Sequence, residues 1–467
     1  MYKYFFPLVL ALYAATLRGQ EASTFSSAQI REDIAYLRSE LESRHPGLYL
    51  YSSRAEADAL FDSLYRQIPP SVTETEAYRL ITTVCSVIRD GHTIFYPAER
   101  STAYHDRYSG FFPFKIYWRD SSMYVAMNYS ASTEIPDGSE IISINGVAAS
   151  EIMSFSLKRM MHDGYNQTYP VWVMNNWFNE FYSYFYGHPA AFDVSFRSDN
   201  GAVTTKTIRA LSKTEISANR KKNYPDYRFD KKEGDGLVLE TEDTNKTATL
   251  TIRDFHADIL KKVYGQKFKK TIAEYFRQIE AKGVENLILD LRNNQGGDTR
   301  YGEILLSYVL NDPFRYVEGY RKVGKHPAAA PQDRNKKCKG PAMGICRPRS
   351  NVFKGNLYIL INGGSFSNTG IVVSALKHAR RGIMIGEETG GNGHVICGSV
   401  KYRELPNTKI RVEIPTLQFA IRDPEHNTGK GVFPDYFIQP SIEQLVGNRD
   451  IAKEYAKGMI KNSKSKM

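Results

Sequence analysis

The feature that most constrains this fold is an apolar strand pattern that runs twice into a glycine-containing turn and then into a helix pattern. The segment "NLILDLRNNQGGD" precedes the helix-like "YGEILLSYVL", and "NLYILINGGSFSNTG" precedes "IVVSALKHA". Short strands that are almost wholly apolar are expected inside a sheet covered on both faces. The alternation therefore predicts an α/β layer, with functional groups at the strand-to-helix turns.

The domain plan follows from length and from shifts in periodicity. A chain of 467 residues is too long for one ordinary core. Helical spacing of apolar residues predicts a helical N-terminal region over 20–105, and strand patterns follow over 106–210. We expect a polar linker at 211–246, the α/β domain at 247–445 and a basic C-terminal tail at 446–467.

The N-terminal helical region carries one histidine at a defined place. Thr73, with Glu76 three residues later, predicts a capped helix start. That helix pattern ends at "RDGHT", where Gly91 suits the left-handed position just past a helix end. His92 is therefore expected to be held beside a helix terminus.

Within 106–210, the segment "IPDGSEIISINGVAASEIMSFSLKRM" predicts a turn, a strand, a turn and a helix that starts near Ala149. It is similar to part of a PDZ-like α+β module. The peptide-carboxylate loop of PDZ domains is not evident in it, so peptide capture does not follow from the similarity.

The first residues predict export. Lys3 precedes an apolar run over 5–17, and small and polar residues follow. This run is too short to span a bilayer but fits a signal peptide, which we place at 1–19. An uncleaved anchor is the alternative. We expect a mature protein without stable membrane insertion, periplasmic or on the outer surface or secreted.

The net charge and the cysteine spacings limit the kinds of partner and metal site that the sequence predicts. The net charge is +11, but the basic clusters come with no nucleic-acid motif and no phosphate loop, so they indicate solvated loops and no nucleic-acid partner. Cys338 and Cys346 close a short loop and form the favoured disulfide pair, whereas Cys85 occupies an apolar helical position. The cysteine spacings do not resemble a zinc site, and we expect no metal or organic cofactor.

The turn "GGSFSNTG" offers three hydroxyl groups at the mouth of a helix: Ser365, Ser367 and Thr369. Each could cap the helix by accepting a backbone N–H bond. The same geometry also suits acyl transfer, in which a hydroxyl attacks a carbonyl and the next residue's N–H meets the oxyanion. For Ser367 that next residue is Asn368.

A nucleophilic serine needs a second oxyanion donor and a base. Gly296 and Gly297 in "NNQGGD" lie on the expected neighbouring turn, and glycine lets a backbone N–H approach a substrate closely. A plain tight turn is the alternative. His92 in "DGHT" and His394 in "GGNGH" are the histidines beside such turns, although an isolated histidine is more often structural.

Four motifs in order resemble one family. "NLILDLRNNQGGD", "LINGGSFSNTG", "IGEETGGNG" and "GVFPDYFIQP" are similar in order and spacing to the tail-specific proteases, which include carboxyl-terminal processing proteases and the tricorn core. The N-terminal "HPGLYLY" and "VIRDGHT" also resemble exported bacterial members. The resemblance covers nearly the whole mature chain. It implies a crotonase-like α/β catalytic domain and serine peptidase activity without a cofactor.

The resemblance assigns roles to single residues. Ser367 matches the nucleophile, Asn368 the residue whose N–H binds the oxyanion, and Gly296 or Gly297 the second donor. Processing proteases use a lysine base, but here Asn392 occupies that position.

Tricorn-like members use a histidine, and "DGHT" matches that motif, so the resemblance implies that His92 is the base. A supporting carboxylate is expected shortly before "GVFPD", where Glu425 is the candidate and Asp423 lies nearby. The predicted function is an exported serine-type endopeptidase acting on peptides or proteins.

A catalytically inactive relative that binds a hydrophobic ligand or peptide is the alternative, and an esterase or amidase stays open. The oligomeric state does not follow from the sequence.

Overall fold

The computed structural model describes residues 24–198, 201–225, 235–242, 246–323 and 344–464. The predicted signal peptide at 1–19 lies outside these ranges. So does Cys338, and its pairing with Cys346 stays a prediction. Cys85 and Cys397 are free and buried, as expected for Cys85.

The N-terminal region is helical, as predicted. Its elements are β1 (Thr24–Ser26), α1 (Ser27–Arg44), α2 (Arg54–Gln67), β2 (Ser71–Thr73), α3 (Glu74–Ile81), α4 (Cys85–Ile88), β3 (Ile94–Tyr96) and α5 (Glu99–Tyr108). The capping box of Thr73 and Glu76 is present at the start of α3. The residue after α4 in the left-handed region is Arg89, with φ of 47°, so the predicted left-handed role of Gly91 is wrong.

Residues 106–210 form a mixed unit around one sheet with the order β4-β5-β6-β8-β9, and β7 pairs with β6. The elements are β4 (Phe114–Arg119), β5 (Ser122–Asn128), β6 (Glu140–Ile144), β7 (Val147–Ala148), α6 (Ala149–Leu157), α7 (Thr168–Tyr186), β8 (Ala191–Arg197) and β9 (Val203–Arg209). The predicted helix start at Ala149 is confirmed. Helix α7 was not predicted, because its many aromatic residues favour strands by propensity.

The predicted linker contains α8 (Lys213–Asn223) and β10 (Leu237–Glu242), which is an edge strand of the next sheet. Helix α8 was not predicted, and its N-terminus has a capping box formed by Ser212 and Glu215. The pattern that signals it is the same one that located α3.

The α/β layer is present. Its elements are β11 (Thr247–Ile252), α9 (Ala257–Lys262), α10 (Phe268–Ala281), β12 (Asn286–Asp290), α11 (Thr299–Val309), β13 (Phe314–Arg315), β14 (Gly319–Arg321), β15 (Ile345–Cys346), β16 (Asn356–Ile361), α12 (Asn368–His378), β17 (Ile383–Gly386), β18 (Val395–Glu404), β19 (Arg411–Ala420), β20 (Tyr436–Phe437), α13 (Ile442–Val446) and α14 (Ile451–Lys464).

The central sheet has the order β10-β11-β12-β16-β17-β20. Strands β11, β12, β16, β17 and β20 run parallel, and β10 pairs antiparallel with β11. Because β12 and β16 are parallel neighbours, the turns that follow them meet at one edge of the sheet. The "NNQGGD" and "GGSFSNTG" motifs are therefore adjacent, as predicted.

The second face of this sheet is covered by the C-terminal helix. Ala452, Ala456 and Ile460 of α14 pack with Leu360 and Ile385 of the sheet. Residues predicted as a basic tail thus form an amphipathic helix up to Lys464. Among the described residues, no helix combines the length and apolar character needed to cross a bilayer.

A long hairpin joins the N-terminal region to the α/β layer. Strands β18 and β19 pair antiparallel, and β3 adds to β19 through the Val412 and Phe95 register. Strand β3 begins two residues after His92. The pairing therefore anchors the histidine turn onto the α/β layer, a connection that the local sequence patterns did not predict.

Candidate active site

Ser367 lies at the sharp corner between β16 and α12. Its backbone has φ of 54° and ψ of −124°, a region that costs a non-glycine residue about 1–3 kcal/mol. Although it occupies the N-cap position, its side chain makes no capping hydrogen bond. Instead its Oγ lies 2.9 Å from Nε2 of His92. A strained corner whose hydroxyl does not cap the following helix resembles the geometry of a nucleophile elbow.

The other two hydroxyls of the motif differ from Ser367. Ser365 is buried, donates to the Leu291 carbonyl at 2.9 Å and accepts from the Asn362 N–H at 3.1 Å. It is therefore a local hydrogen-bonding residue, as predicted. Thr369 was predicted to play the same part, but its buried hydroxyl has no hydrogen-bond partner among the described residues.

The aromatic residue between the two serines supports the histidine. The ring of Phe366 lies 4.7 Å from the His92 ring and stacks on Tyr169 at 4.0 Å. A Cβ atom on Gly91 would lie 2.7 Å from the Phe366 ring. Gly91 is thus required by the close approach of this ring, and not by a left-handed backbone.

The imidazole of His92 is half-buried, and its two nitrogens are in different situations. Nε2 faces Ser367, whereas Nδ1 is buried without a hydrogen-bond partner among the described residues. Burial lowers the pKa of His92, and the nearby Asp90 carboxylate partly opposes this. A neutral imidazole at neutral pH can accept a proton at Nε2.

The predicted supporting carboxylate is not at Nδ1. Glu425 is exposed on the short 3-10 helix Pro424–His426, and no hydrogen bond or ion pair joins it to His92 in the part of the chain that the structure describes. Asp423 is exposed in the same segment. The structure therefore does not bring Glu425 into the site, because this segment turns its acidic side chains to solvent.

Asp90 is the carboxylate that lies beside the histidine. Its Oδ1 accepts the His92 backbone N–H at 2.9 Å and the Thr93 hydroxyl at 3.1 Å. Although burial opposes ionisation, the interactions with His45 and His92 and a hydrogen bond from the Cys397 thiol outweigh burial and hold the pKa of Asp90 below its usual range. Asp90 is part of the "DGHT" motif, but sequence reasoning assigned it no role.

Asp90 also forms a buried cluster with His45 and Cys397 whose donor atoms all lie within 4.8 Å of one another. Metal ligands of this type would need the lone pair of His45 Nε2. However, Nδ1 of His45 accepts the Gly47 N–H at 3.1 Å, so the ring proton is on Nε2, which lies 3.1 Å from the Thr93 hydroxyl. The cluster therefore fits a hydrogen-bonded carboxylate better than a metal centre.

Two backbone N–H groups on the adjoining serine and glycine turns have no acceptor within the described ranges. The Asn368 N–H donates to no acceptor within the described ranges. A Cβ on Gly296 would lie 2.7 Å from that Asn368 nitrogen, so the "NNQGGD" turn lies directly against the serine. The Gly296 N–H is already used by Asn294 Oδ1 at 2.9 Å, whereas the Gly297 N–H has no acceptor in those ranges. Of the two predicted donors, Gly297 is the one left free.

Asn392, in the position of the missing lysine, is fully buried and fully engaged. Its side-chain NH2 donates to the Tyr51 hydroxyl at 2.7 Å and to Asn427 at 2.8 Å, and its oxygen accepts the His394 N–H at 2.7 Å. His394 Nδ1 lies 2.9 Å from the carbonyl of Arg422, so this histidine is structural.

Sequence reasoning missed Asp163. This buried carboxylate accepts the Gly91 N–H at 2.8 Å and the Asn392 N–H at 3.1 Å. It lies in "MMHDGYN", another Asp-Gly pair of the sequence, between α6 and α7. The signal was weak, because one Asp-Gly pair usually marks only a turn.

Comparisons with known proteins identify similarity over part of the sequence and over the fold. The model of peptidase family S41 matches residues 246–438. Mature CPAF complexed with lactacystin matches with a TM-score of 0.65 and 13% identity over 94% of this chain and 98% of that chain. A second structure of mature CPAF matches with a TM-score of 0.64 and 14% identity, over 93% of this chain and 97% of that chain. The photosystem II D1 C-terminal processing protease matches with a TM-score of 0.44 and 14% identity, over 91% of this chain and 98% of that chain.

No curated protein matches the sequence significantly. The CPAF matches, at such low identity, show a shared fold and nothing finer. The match over 246–438 includes both strand-to-helix turns and the "GVFPDYF" motif, which are the segments that predicted the family. Residues 246–438, which are less than half of the chain, match the model of peptidase family S41, and this match supports the tail-specific peptidase family that the motif order predicted.

Proposed function

We propose that this protein is a serine-type endopeptidase in which Ser367 is the nucleophile and His92 is the general base. The observation that carries the proposal is the 2.9 Å separation between Ser367 Oγ and His92 Nε2, which is within the range for proton transfer. A serine at its free pKa is a weak nucleophile, so a base in contact with it is the element that a bare turn lacks.

The first half of the reaction forms the acyl-enzyme. His92 Nε2 accepts the Ser367 proton while Oγ bonds to the carbonyl carbon of the substrate. The N–H groups of Asn368 and Gly297 are the proposed donors to the resulting oxyanion, since both lack an acceptor within the described ranges. His92 then gives its proton to the leaving amine as the C–N bond breaks.

The second half hydrolyses the ester. Water attacks the acyl carbon, His92 takes one water proton, and Ser367 receives it when the C–O bond to the enzyme breaks. The imidazolium that forms twice per cycle needs a nearby negative charge. Asp90 supplies that charge from its place beside the His92 backbone, whereas the exposed Glu425 makes no hydrogen bond or ion pair with His92 among the described residues.

The wider assignments stay proposals. Residues 1–19 act as an export signal, and the mature enzyme works in the periplasm or outside the cell on peptide or protein substrates. The domain over 247–445 is taken as crotonase-like, and the unit over 106–210 as PDZ-like. The unit's five-stranded order β4-β5-β6-β8-β9 and the helix that starts at Ala149 are compatible with that assignment.

A fluorophosphonate probe tests the proposal. We expect intact-mass and peptide mapping to find one adduct on Ser367 in the wild-type protein and at least about a hundredfold slower labelling in His92→Ala. Labelling elsewhere, or labelling of Ser367 at the same rate without His92, would contradict it. Uptake of an apolar ligand by an unlabelled protein would favour the inactive binding relative.

A further inference from the structure

The position of His92 is set mainly through its backbone. Its Nδ1 has no hydrogen-bond partner among the described residues, so no side chain there fixes the ring through that atom. Instead the two N–H groups at the turn are each held by a carboxylate. Asp163 Oδ1 accepts the Gly91 N–H at 2.8 Å, and Asp90 Oδ1 accepts the His92 N–H at 2.9 Å.

The second oxygen of Asp163 reaches the other half of the site. Oδ2 accepts the N–H of Asn392 at 3.1 Å. Asn392 belongs to the turn over 389–393, in which the N–H groups of Gly390 and Gly391 donate to the Ser365 carbonyl at 3.1 and 3.4 Å. A Cβ on Gly391 would lie 3.1 Å from the Ser367 nitrogen. This turn therefore packs directly behind the serine.

We propose that Asp163 is a positioning residue that fixes the distance between His92 and Ser367 by tying the "DGHT" turn to the glycine turn behind the serine. It does so as a carboxylate, with one oxygen for each turn. This inference rests on the proposed roles of Ser367 and His92. Asp163 touches neither of their side chains in the described hydrogen-bond network, so it acts through Gly91 and Asn392.

The charge state of Asp163 matters because both of its oxygens face donors. A carboxylate accepts at each oxygen, but protonation turns one oxygen into a donor that faces an N–H. Burial, and then the charge of Asp90, raise the pKa of Asp163 to about 7. Protonation of Asp163 therefore falls close to neutral pH and weakens one of the two ties.

The titratable groups that face Asp163 within the described residues come from four elements of the fold. They are Asp90 beside α4, Tyr51 between α1 and α2, Tyr169 on α7 and Cys397 on β18. Burial raises the pKa of the two phenols and of the thiol, so all three are neutral near pH 7. Asp90 is the charged member of this set, and no cation in the set offsets it.

The consequence is a characteristic fall in the rate of Ser367 labelling toward acid pH. The pKa of His92 lies below the ordinary 6.5, so its protonation alone would place the midpoint below that value. If Asp163 must be ionised, the wild-type midpoint lies near 7. Asp163→Asn removes this ionisation and one acceptor. We expect its rate plateau to fall about 10–100-fold and its midpoint to move below 6.5.

The experiment measures the rate of Ser367 labelling by a fluorophosphonate between pH 5 and 9 in wild type, Asp163→Asn and Asp193→Asn. Asp193 is exposed on β8, where it accepts the Thr207 hydroxyl, and serves as the matched control with an unchanged profile. A lower plateau with a midpoint shifted downward supports the inference. An unchanged plateau, or a lower plateau with an unshifted midpoint, overturns it.

The wild-type profile keeps the test decisive if Asp163→Asn does not fold, which circular dichroism would reveal. A wild-type midpoint near 7 supports the inference, and a midpoint below 6.5 overturns it. Wild-type protein that never labels at Ser367 would instead refute the proposed function, so the two failures are distinguishable.

Discussion

His92 Nε2 and Ser367 Oγ lie 2.9 Å apart although 275 positions separate them in the chain. Two contacts bring them together. Strand β3 pairs with β19 just after the histidine turn, and the Phe366 ring lies against both His92 and the space beside Gly91. The site is therefore assembled between the N-terminal helical region and the α/β layer.

Gly91→Ala should reduce activity without a change in any reacting group. The new Cβ would lie 2.7 Å from the Phe366 ring and 2.9 Å from Asp163 Oδ1, so the histidine turn must shift. We expect kcat/KM for peptide hydrolysis to fall about 10–100-fold. Gly458→Ala is the control, because its Cβ meets nothing within 4 Å in helix α14, and it should leave kcat/KM unchanged.

Mutation can decide which of two carboxylates, Glu425 or Asp90, supports His92. Glu425→Gln should change kcat/KM less than about twofold, because Glu425 is exposed and has no hydrogen bond or ion pair with His92 within the described residues. Asp90→Asn should lower kcat by tenfold or more, since it removes the charge beside the imidazolium. If steady-state kinetics showed a larger loss for Glu425→Gln than for Asp90→Asn, Glu425 would be the supporting residue and the role of Asp90 would be refuted.

Asn392→Lys should not create a serine–lysine pair. Asn392 is fully buried, and its amide satisfies Tyr51, Asn427 and the His394 N–H. A lysine there loses those bonds and buries an ammonium, so we expect a loss of about 3 kcal/mol or more in the free energy of unfolding. Urea denaturation measures it against Asn223→Lys, an exposed control at the end of α8. Equal stabilities would contradict the buried role.

Stability should depend on pH through Asp163. Its pKa is about 7 in the folded protein and near the ordinary 3.8 when unfolded, so between pH 5 and 7 the folded state binds the extra proton. The contribution of Asp163 to the free energy of unfolding therefore falls as pH rises across that window. Asp90 is ionised in both states there and adds no slope, because its folded pKa is lowered.

The measurement is urea unfolding of wild type and Asp163→Asn at pH 5 and pH 7. We expect the wild type to lose stability relative to Asp163→Asn as pH rises, because only the wild type carries the titrating carboxyl. A difference that is the same at both pH values would show that Asp163 does not titrate in this range.

Local patterns predicted the parts of the fold that depend on local physics. The apolar strands β12 and β16, the amphipathic face of α10 and the capping box of α3 all follow from periodicity or from neighbouring side chains. Parallel neighbouring strands then brought the glycine turn and the serine turn together. The role of Gly91 was misjudged because close packing by Phe366, 275 positions away from it, is invisible locally.

Long-range contacts explain the rest of what the sequence did not predict. Asp163 acts through Gly91 and Asn392, which lie 72 and 229 positions away from it. Helix α7 is rich in aromatic residues, and its position against the N-terminal helices outweighs the strand propensity of those residues. Glu425 was chosen for its place shortly before the "GVFPD" motif, but its exposure cannot be judged from that place in the sequence.

The most direct measurement is hydrolysis of a peptide mixture, with new amino termini counted by mass spectrometry, by wild type, Ser367→Ala and Ser217→Ala. Ser217 is exposed on α8 and serves as the matched serine control. We expect wild type and Ser217→Ala to cleave equally and Ser367→Ala to lose at least about 10³-fold in rate while keeping its fold. Cleavage by Ser367→Ala at the wild-type rate would contradict the assignment of Ser367 as the nucleophile.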